Sequence, residues 1–366
     1  MNKKEYELLS PSEITCLIVG LMVGMGALIL PNDVMATSRQ DGWMSAALGA
    51  VYPLVIMLLS VYIINNFQNT SILDISRKLY GRIFGNILNV LFAVQFIFYS
   101  ASVAQGFSNL LRLYMVSFLT PLNVLIFVFL IVAYTSGKGL KTLARVNEMM
   151  FFLTIFILVF TINALKDGSF LNVSPVFGSG INNIIAGGKD TMFAYATSEA
   201  LLLVPGFIRD KNKLKNSVLK AIGVTALIYT WMTFITIYYL GPDIVDKNLW
   251  AFTSVTDSVK IPLVTNFRFV FTYLWSLIIF KTISNEYYFA GLIISNVTKV
   301  DFKIINVMLY PIMIFLAMKL GNETMRRKIG SLVVPWITLY SILFVLSIAV
   351  IIYAKKVISN GKTGDK

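Results

Sequence analysis

The apolar residues of this chain do not alternate with polar ones. They gather in runs of roughly twenty, the length a helix needs to cross a hydrocarbon core. Ten such runs fall at about 13–36, 43–64, 83–110, 120–135, 143–165, 185–207, 217–240, 264–294, 304–320 and 332–354. The fourth and ninth are short and the eighth is long. The pattern predicts an all-α integral membrane protein of ten transmembrane helices, with residues 1–366 forming a single polytopic domain. The longest connections, about 165–185 and 241–263, are expected to hold short surface helices. Between Asn65 and Arg82, Ile72, Ile75 and Leu79 alternate with Asp74, Arg77 and Lys78 at helical spacing. That suits an amphipathic helix at the membrane interface, or a docking surface for a partner.

Two runs are interrupted. The first contains Gly24-Met25-Gly26-Ala27-Leu28-Ile29-Leu30-Pro31. Each glycine costs roughly 1 kcal/mol against alanine in a helix interior, and proline clashes with the carbonyl four residues back. The sixth begins with Gly187-Gly188, carries the polar stretch Tyr195-Ala196-Thr197-Ser198-Glu199, and ends in Pro205-Gly206. At membrane depth, non-helical backbone is tolerated only inside protein or beside a wet cavity. Paired interruptions in corresponding halves point to the ligand site of an inverted-repeat transporter. Close helix packing at small residues is the structural alternative. The two repeats are expected at about 10–165 and 185–354, followed by a short cytoplasmic tail, 355–366.

Composition narrows the function. The chain is 57% hydrophobic and 13% charged, with a mean hydropathy of +0.75; soluble domains carry about 25% charged residues. With no histidine, His-based catalysis and His metal sites are excluded. The single cysteine, Cys16, allows no intramolecular disulfide and reads as a small core residue. A net charge of +13 suggests nucleic acid at first sight, yet the Lys and Arg residues lie in short links. They read as topology determinants facing an anionic lipid surface, with no nucleic-acid partner. Their distribution places both termini in the cytoplasm, although Arg326, Arg327 and Lys328 break the trend. No cleavable signal peptide is evident. Ser10-Pro11-Ser12-Glu13 reads as a helix start with Glu13 in a capping role, its rival being a role in ion passage. There is no P-loop, no Cys/His metal pattern and no Gly-x-Ser-x-Gly elbow, so neither an enzyme nor a cofactor is expected.

Several polar residues in the apolar runs are candidates for chemistry. Glu199 stands at mid-run, where an isolated charge costs about 2.5–3.5 kcal/mol, so it should face protein or water. It suits proton binding or a ligand ammonium; the alternative is a structural hydrogen bond to the first run. Lys281 lies in the eighth run with Ser284, Asn285 and Glu286 behind it. It reads as a fixed cation standing where a coupling ion would otherwise sit, between the first and eighth runs, as the partner of a buried carboxylate such as Glu199 or Glu286, or, with Glu286, as a surface position at the boundary. Gln95, Tyr99, Ser102 and Gly106 make one polar face of the third run, suited to a ligand carboxylate or to interhelical hydrogen bonds. Glu148 is expected to pair with Arg145. The aromatic residues read as mainly lipid-facing and interfacial.

Ser10-Pro11-Ser12-Glu13 ahead of Gly24–Pro31 resembles the opening of the spore-germination permeases, the B subunits of nutrient germinant receptors. The resemblance continues through Asp41-Gly42-Trp43, Tyr80-Gly81, Thr120-Pro121, Gly139-Leu140, Ala144-Arg145, Asn172-Val173-Ser174-Pro175-Val176, and Glu199 followed by Pro205. It covers essentially the whole chain. Val173-Ser174 departs from the family pattern, in which Arg is expected. The resemblance implies the amino acid–polyamine–organocation superfamily, a LeuT-like 5+5 inverted repeat with broken first and sixth helices, and residence in the spore's inner membrane. It further implies A and C partner subunits and recognition of a small nutrient, expected to be an amino acid. On that reading Gly24, Met25, Gly26 and Ala27 present backbone amides to a carboxylate, aided by Gln95 and Tyr99. Tyr195, Thr197, Ser198 and Glu199 take the amino group and side chain, and Glu199, Lys281, Ser284, Asn285 and Glu286 are the proton or ion candidates. The rivals are a proton-coupled amino-acid transporter and a structural or ion-release subunit without its own ligand.

Overall fold

The computed structural model describes residues 7–67, 69–260 and 266–363. Lys3, Lys4, Lys366 and the start of the eighth predicted run therefore lie outside the described residues. The described chain is helical; its one β-type contact is an isolated parallel bridge between Leu9 and Ile208.

The first run folds as two helices, α1 (Pro11–Met22) and α2 (Met25–Ser38), separated at Val23-Gly24. Ser10 starts α1: its hydroxyl accepts from the Glu13 amide at 3.2 Å, and the Glu13 carboxylate accepts from the Ser10 amide at 2.7 Å. This is a full capping box, with Pro11 at the first helical position. Pro31 stays inside α2; its missing N–H leaves the Ala27 carbonyl without a helical donor. The second run is also split, into α3 (Gly42–Leu48) and α4 (Val51–Asn66). A Cβ on Gly49 would stand 2.1 Å from Thr191 Oγ1, so only glycine fits that approach. The predicted amphipathic segment forms α5 (Ile72–Tyr80), which buries Ile72, Leu73 and Ile75 and packs against α6 (Arg82–Tyr114).

Then come α7 (Pro121–Gly137), α8 (Leu140–Phe160) and α9 (Ile181–Gly187). The sixth run does not continue as an α-helix. After α9 the backbone makes separate 3₁₀ turns at Gly188–Thr191, Ser198–Leu203 and Pro205–Phe207, with Thr197 at a left-handed φ of 65°. The second half holds α10 (Leu214–Leu240), the short α11 (Pro242–Lys247) and α12 (Ala251–Val255), α13 (Phe267–Thr298), α14 (Phe302–Lys319) and α15 (Glu323–Thr363). Residues 355–363 thus extend the last helix.

Among the described residues, seven helical segments are long and apolar enough to cross a membrane. Beyond the second run, split as above and continuous with α2 in one segment, three predicted runs are not among these as single helices, for local reasons. The first is cut at Gly24, the fourth is a helix of only 17 residues, and the sixth is 3₁₀ turns. The chain is a multi-pass membrane protein whose outer surface carries exposed Ile83, Phe84, Phe127, Leu227 and Trp336, as lipid contact demands. The aromatics are less lipid-facing than their sequence positions suggest. Trp275, Tyr195, Tyr229, Tyr287 and Phe252 are fully buried. Helices α6 and α13 pack along each other through the centre, and α1 lies against α8, α10 and α13. Most polar residues discussed below are carried by that central group, by the 3₁₀ segment, or by α2 and α15 beside them.

Candidate functional site

The break at Val23-Gly24 sets the geometry. Glycine at 24 and 26 permits close approach there. A Cβ on Gly24 would lie 2.6 Å from Thr282 Oγ1, and one on Gly26 would lie 2.8 Å from the Ala194 Cα. Packing and an interrupted helix are therefore the same feature: the bend brings α2's start against the 3₁₀ segment on one side, while α13 closes the other. Between them lies a small cavity walled by Met25 and Gly26 of α2, Tyr99 of α6, Phe193 and Thr197 of the 3₁₀ segment, and Glu286 of α13. The volume open to a water's centre is about 10 Å³, room for roughly one water molecule.

Two buried polar atoms at this cavity have no hydrogen-bond partner: Tyr99 Oη and Glu286 Oε2. Tyr99 is 3% exposed and Glu286 1%. The other Glu286 oxygen accepts from the Thr197 hydroxyl at 2.7 Å. That hydroxyl is aimed by the left-handed turn at Thr197. At α2's start, Gly24 provides no side-chain cap, so the first amides of a 14-residue helix, those of the cavity residues Met25 and Gly26 among them, have no intrahelical acceptor.

The remaining sequence candidates are placed elsewhere. Glu199 is fully buried but does not line the cavity. Its Oε1 accepts from Gln95 Nε2 and lies 3.0 Å from the Ser341 hydroxyl, itself 2.6 Å from Gln95 Oε1. Gln95 thus supports Glu199 and is not a cavity residue. The Tyr195 hydroxyl donates to the Ala46 carbonyl at 2.8 Å, and its ring sits 4.8 Å from that of Tyr229. Tyr229 Oη in turn lies 2.7 Å from the Met22 carbonyl and 2.8 Å from that of Ala194. The two tyrosines tie the 3₁₀ segment to α1 and α3. Ser198 has a buried hydroxyl without a partner, and Ala27 is buried without lining the cavity.

On α13, Lys281 is 1% exposed and its ammonium donates to the carbonyls of Gly20 at 3.0 Å and Val23 at 2.6 Å. Pairing with Glu199 or Glu286, one of the sequence alternatives, is not what the structure has: carbonyl oxygens of the broken helix take the place of a carboxylate. Asn285 exchanges two amide hydrogen bonds with Asn147 of α8, at 2.8 and 2.9 Å. Ser284 bonds back to the Phe280 carbonyl within its own helix. Ser102 accepts from Arg326 at 3.1 Å. Glu148 accepts from the Ser12 hydroxyl at 2.6 Å.

Sequence reasoning missed the cluster at the start of α15. Arg326 is 2% exposed and paired with Glu323 at 2.6 Å; Arg327 bonds Glu323 at 2.9 Å and lies 3.7 Å from Asp33 of α2. A second cavity of about 350 Å³ opens here, walled by α2, residues 189–193 and α15. Phe193 lines it and also walls the central cavity. The signal was present in the sequence, since Arg326 and Arg327 broke the charge trend. At the opposite end, Lys141 bonds the Glu13 carboxylate at 2.6 Å and the Leu8 carbonyl at 2.8 Å. Leu9 exchanges backbone bonds with Phe207 and Arg209.

Three comparisons place this geometry. The fold is shared with MhsT, whose crystal structure is in complex with L-phenylalanine: TM-score 0.66 and 14% identity, covering 92% of this chain and 89% of that one. The chain is 25% identical over 296 residues to spore germination protein YndE of Bacillus subtilis (strain 168), covering 80% of this chain and 81% of the relative. It is 23% identical over 283 residues to spore germination protein GerQB of Bacillus cereus, covering 76% and 77%. The profile of the spore germination proteins matches residues 8–326, and the chain belongs to that family.

Proposed function

We propose that this chain is the membrane subunit of a spore germinant receptor, binding a small nutrient at the break between α1 and α2 and passing its occupancy to partner subunits. One observation carries the reading. Tyr99 and Glu286, whose Oη and Oε2 are buried and without a partner, line one small cavity together with Met25 and Gly26 at the uncapped start of α2. An unsatisfied buried polar group costs about 1–3 kcal/mol, which a ligand with the right groups recovers. Helix amides and a phenol suit a carboxylate, and a buried carboxylate suits an ammonium. A zwitterionic amino acid has both. The amino end then belongs to Glu286 and Thr197, with Glu199 held behind them by Gln95 and Ser341. L-Phenylalanine in MhsT is a ligand of the same class on the same fold.

The cavity is too small for an amino acid as it stands, so binding must select a more open arrangement of the same helices. That requirement is what makes a sensor: a ligand favouring one arrangement shifts the population. The receiving parts are A and C subunits, in the spore's inner membrane, with both termini cytoplasmic. Within this reading the chain crosses the membrane ten times as two inverted repeats, 10–165 and 185–354, the short helices and 3₁₀ turns completing the spans.

Spores carrying Glu286→Gln or Tyr99→Phe at normal protein abundance test this directly. Dipicolinate release is followed against a panel of amino acids, sugars and nucleosides. A dose–response shifted at least about tenfold for one amino-acid class is expected, equivalent to about 1.4 kcal/mol. Unchanged responses to every nutrient would sink the reading. Two buried carboxylates each with one unpartnered oxygen, Glu199 and Glu286, favour a second reading, a proton-coupled amino-acid transporter. Flux into proteoliposomes collapsed by an uncoupler would select it.

A further inference from the structure

The break between α1 and α2 strips the end of α1 of the amides that a continuous helix would bring to its carbonyls. Gly20 and Val23 carry two of those carbonyls, and both accept from Lys281 Nζ, at 3.0 and 2.6 Å. Thr282 Oγ1 completes the group, 3.1 Å from each carbonyl oxygen and 3.4 Å from Nζ. An ammonium has three donors, and three oxygens are in place for them.

Among the described residues Arg326 is the other deeply buried cation, and the contrast is informative. Arg326 has a carboxylate, Glu323. Among the described residues Lys281 forms no ion pair; its charge is met by backbone oxygens at the negative end of a half-helix. Oxygens of that kind, freed by unwinding and clustered at a half-helix end, are also what holds an unhydrated monovalent cation in membrane proteins. The lysine stem threads this charge in from α13, so the same side chain that satisfies the oxygens also fixes α1 to α13.

We propose that the Lys281 ammonium is a tethered cation filling an oxygen site that would otherwise take free sodium, so that the α1–α2 break is held without a coupling ion. The proposal shares the break with the proposed nutrient site, but its test reads no nutrient, so either can fail alone.

The test is thermal unfolding of the full-length protein in lipid nanodiscs, in sodium chloride against choline chloride at equal ionic strength. The wild type is expected to melt at the same temperature in both. Lys281→Ala opens the oxygens to solvent ions; its midpoint should fall by roughly 5 °C or more in choline. Sodium should restore at least half of that loss, saturably. Adding Thr282→Ala to Lys281→Ala should abolish the sodium response. Lys281→Met, which fills the space without charge, should fall without recovery. Lys281→Ala responding equally to sodium and choline, or as stable as the wild type in choline, overturns the proposal. If Lys281→Ala does not accumulate, the wild type still decides. Sodium-specific stabilisation of the wild type would mean that the oxygens are open to an ion, and would overturn it; equal stability in the two salts would support it.

Discussion

The Arg326 guanidinium lies 5.5 Å from the centre of the Phe193 ring, and Phe193 lines both the cavity at the start of α15 and the central cavity. The cation is held by Glu323 and Ser102, and the ring also packs 5.6 Å from that of Tyr99 on α6. Phe193 is thus a wall shared by a chamber of about 350 Å³ and the much smaller central cavity. Phe193→Ala should join them. In a Cys16→Ser background, Val103→Cys places a thiol at the wall of the central cavity. Its labelling by a small methanethiosulfonate reagent should accelerate at least about tenfold when Phe193→Ala is added, a barrier change of about 1.4 kcal/mol. Equal rates would mean that reagent reaches the cavity by another route.

The Arg326–Glu323 pair should be costly to break from one side and cheap to remove whole. Stripping one partner from a buried pair costs about 3–5 kcal/mol because the other charge is left behind. Arg326→Met leaves Glu323 with Arg327 at 2.9 Å, which puts the expected loss at the lower end of that range. Combining Arg326→Met with Glu323→Gln should return much of it. A double-mutant cycle on unfolding midpoints measures the coupling; additive losses would show that the two side chains contribute independently.

How far these features were legible in the sequence depended on the kind of contact. Run length announced the helices, because the hydrocarbon core fixes how many apolar residues a helix needs. The glycines at 24 and 26 announced the α1–α2 break, since their cost is local. Direction within non-helical backbone was not legible. Helical spacing put Tyr99 on a polar face of its run, and Tyr99 lines the central cavity, yet nothing in the run Tyr195–Glu199 tells that Tyr195 bonds Ala46 and Glu199 bonds Gln95, around a left-handed turn at Thr197. Nor does sequence show which of several oxygens a buried lysine meets, and Lys281 was readable only as three alternatives. Asn147 and Asn285, 138 residues apart, were found only in the fold.

Tyr195 tests the corrected placement. Its hydroxyl ties residue 195 to the Ala46 carbonyl, and the ring packs on Tyr229. Tyr195→Phe should cost about 1–2 kcal/mol, the range for one buried hydrogen bond and the carbonyl left unpaired. The nutrient dose–response should stay in place once abundance is matched, unlike that of Glu286→Gln. A Tyr195→Phe response shifted as strongly as that of Glu286→Gln would return Tyr195 to the ligand.

The last prediction concerns the N-terminal end of α1. Lys141 reaches the Glu13 carboxylate and the Leu8 carbonyl together, and Leu9 pairs with the backbone at Phe207 and Arg209. These contacts pin the segment before α1 to the exit of the 3₁₀ segment, so motion of either half of the central site is felt here. The Lys141–Glu13 pair is only partly shielded, with side-chain exposures of 19% and 7%, so its removal should be modest in stability, about 1 kcal/mol. Its effect on local opening should be larger, because Lys141→Met removes the bond that holds the Leu8 carbonyl to the start of α8 together with the bond that holds Glu13 of α1 there. Amide exchange at Leu9 and Arg209, whose N–H groups donate across the two segments, should rise severalfold, while exchange in α6 and α13 stays unchanged. A uniform rise across the bundle would instead report global destabilisation, and no rise at Leu9 would show that the backbone bridge stands without the lysine.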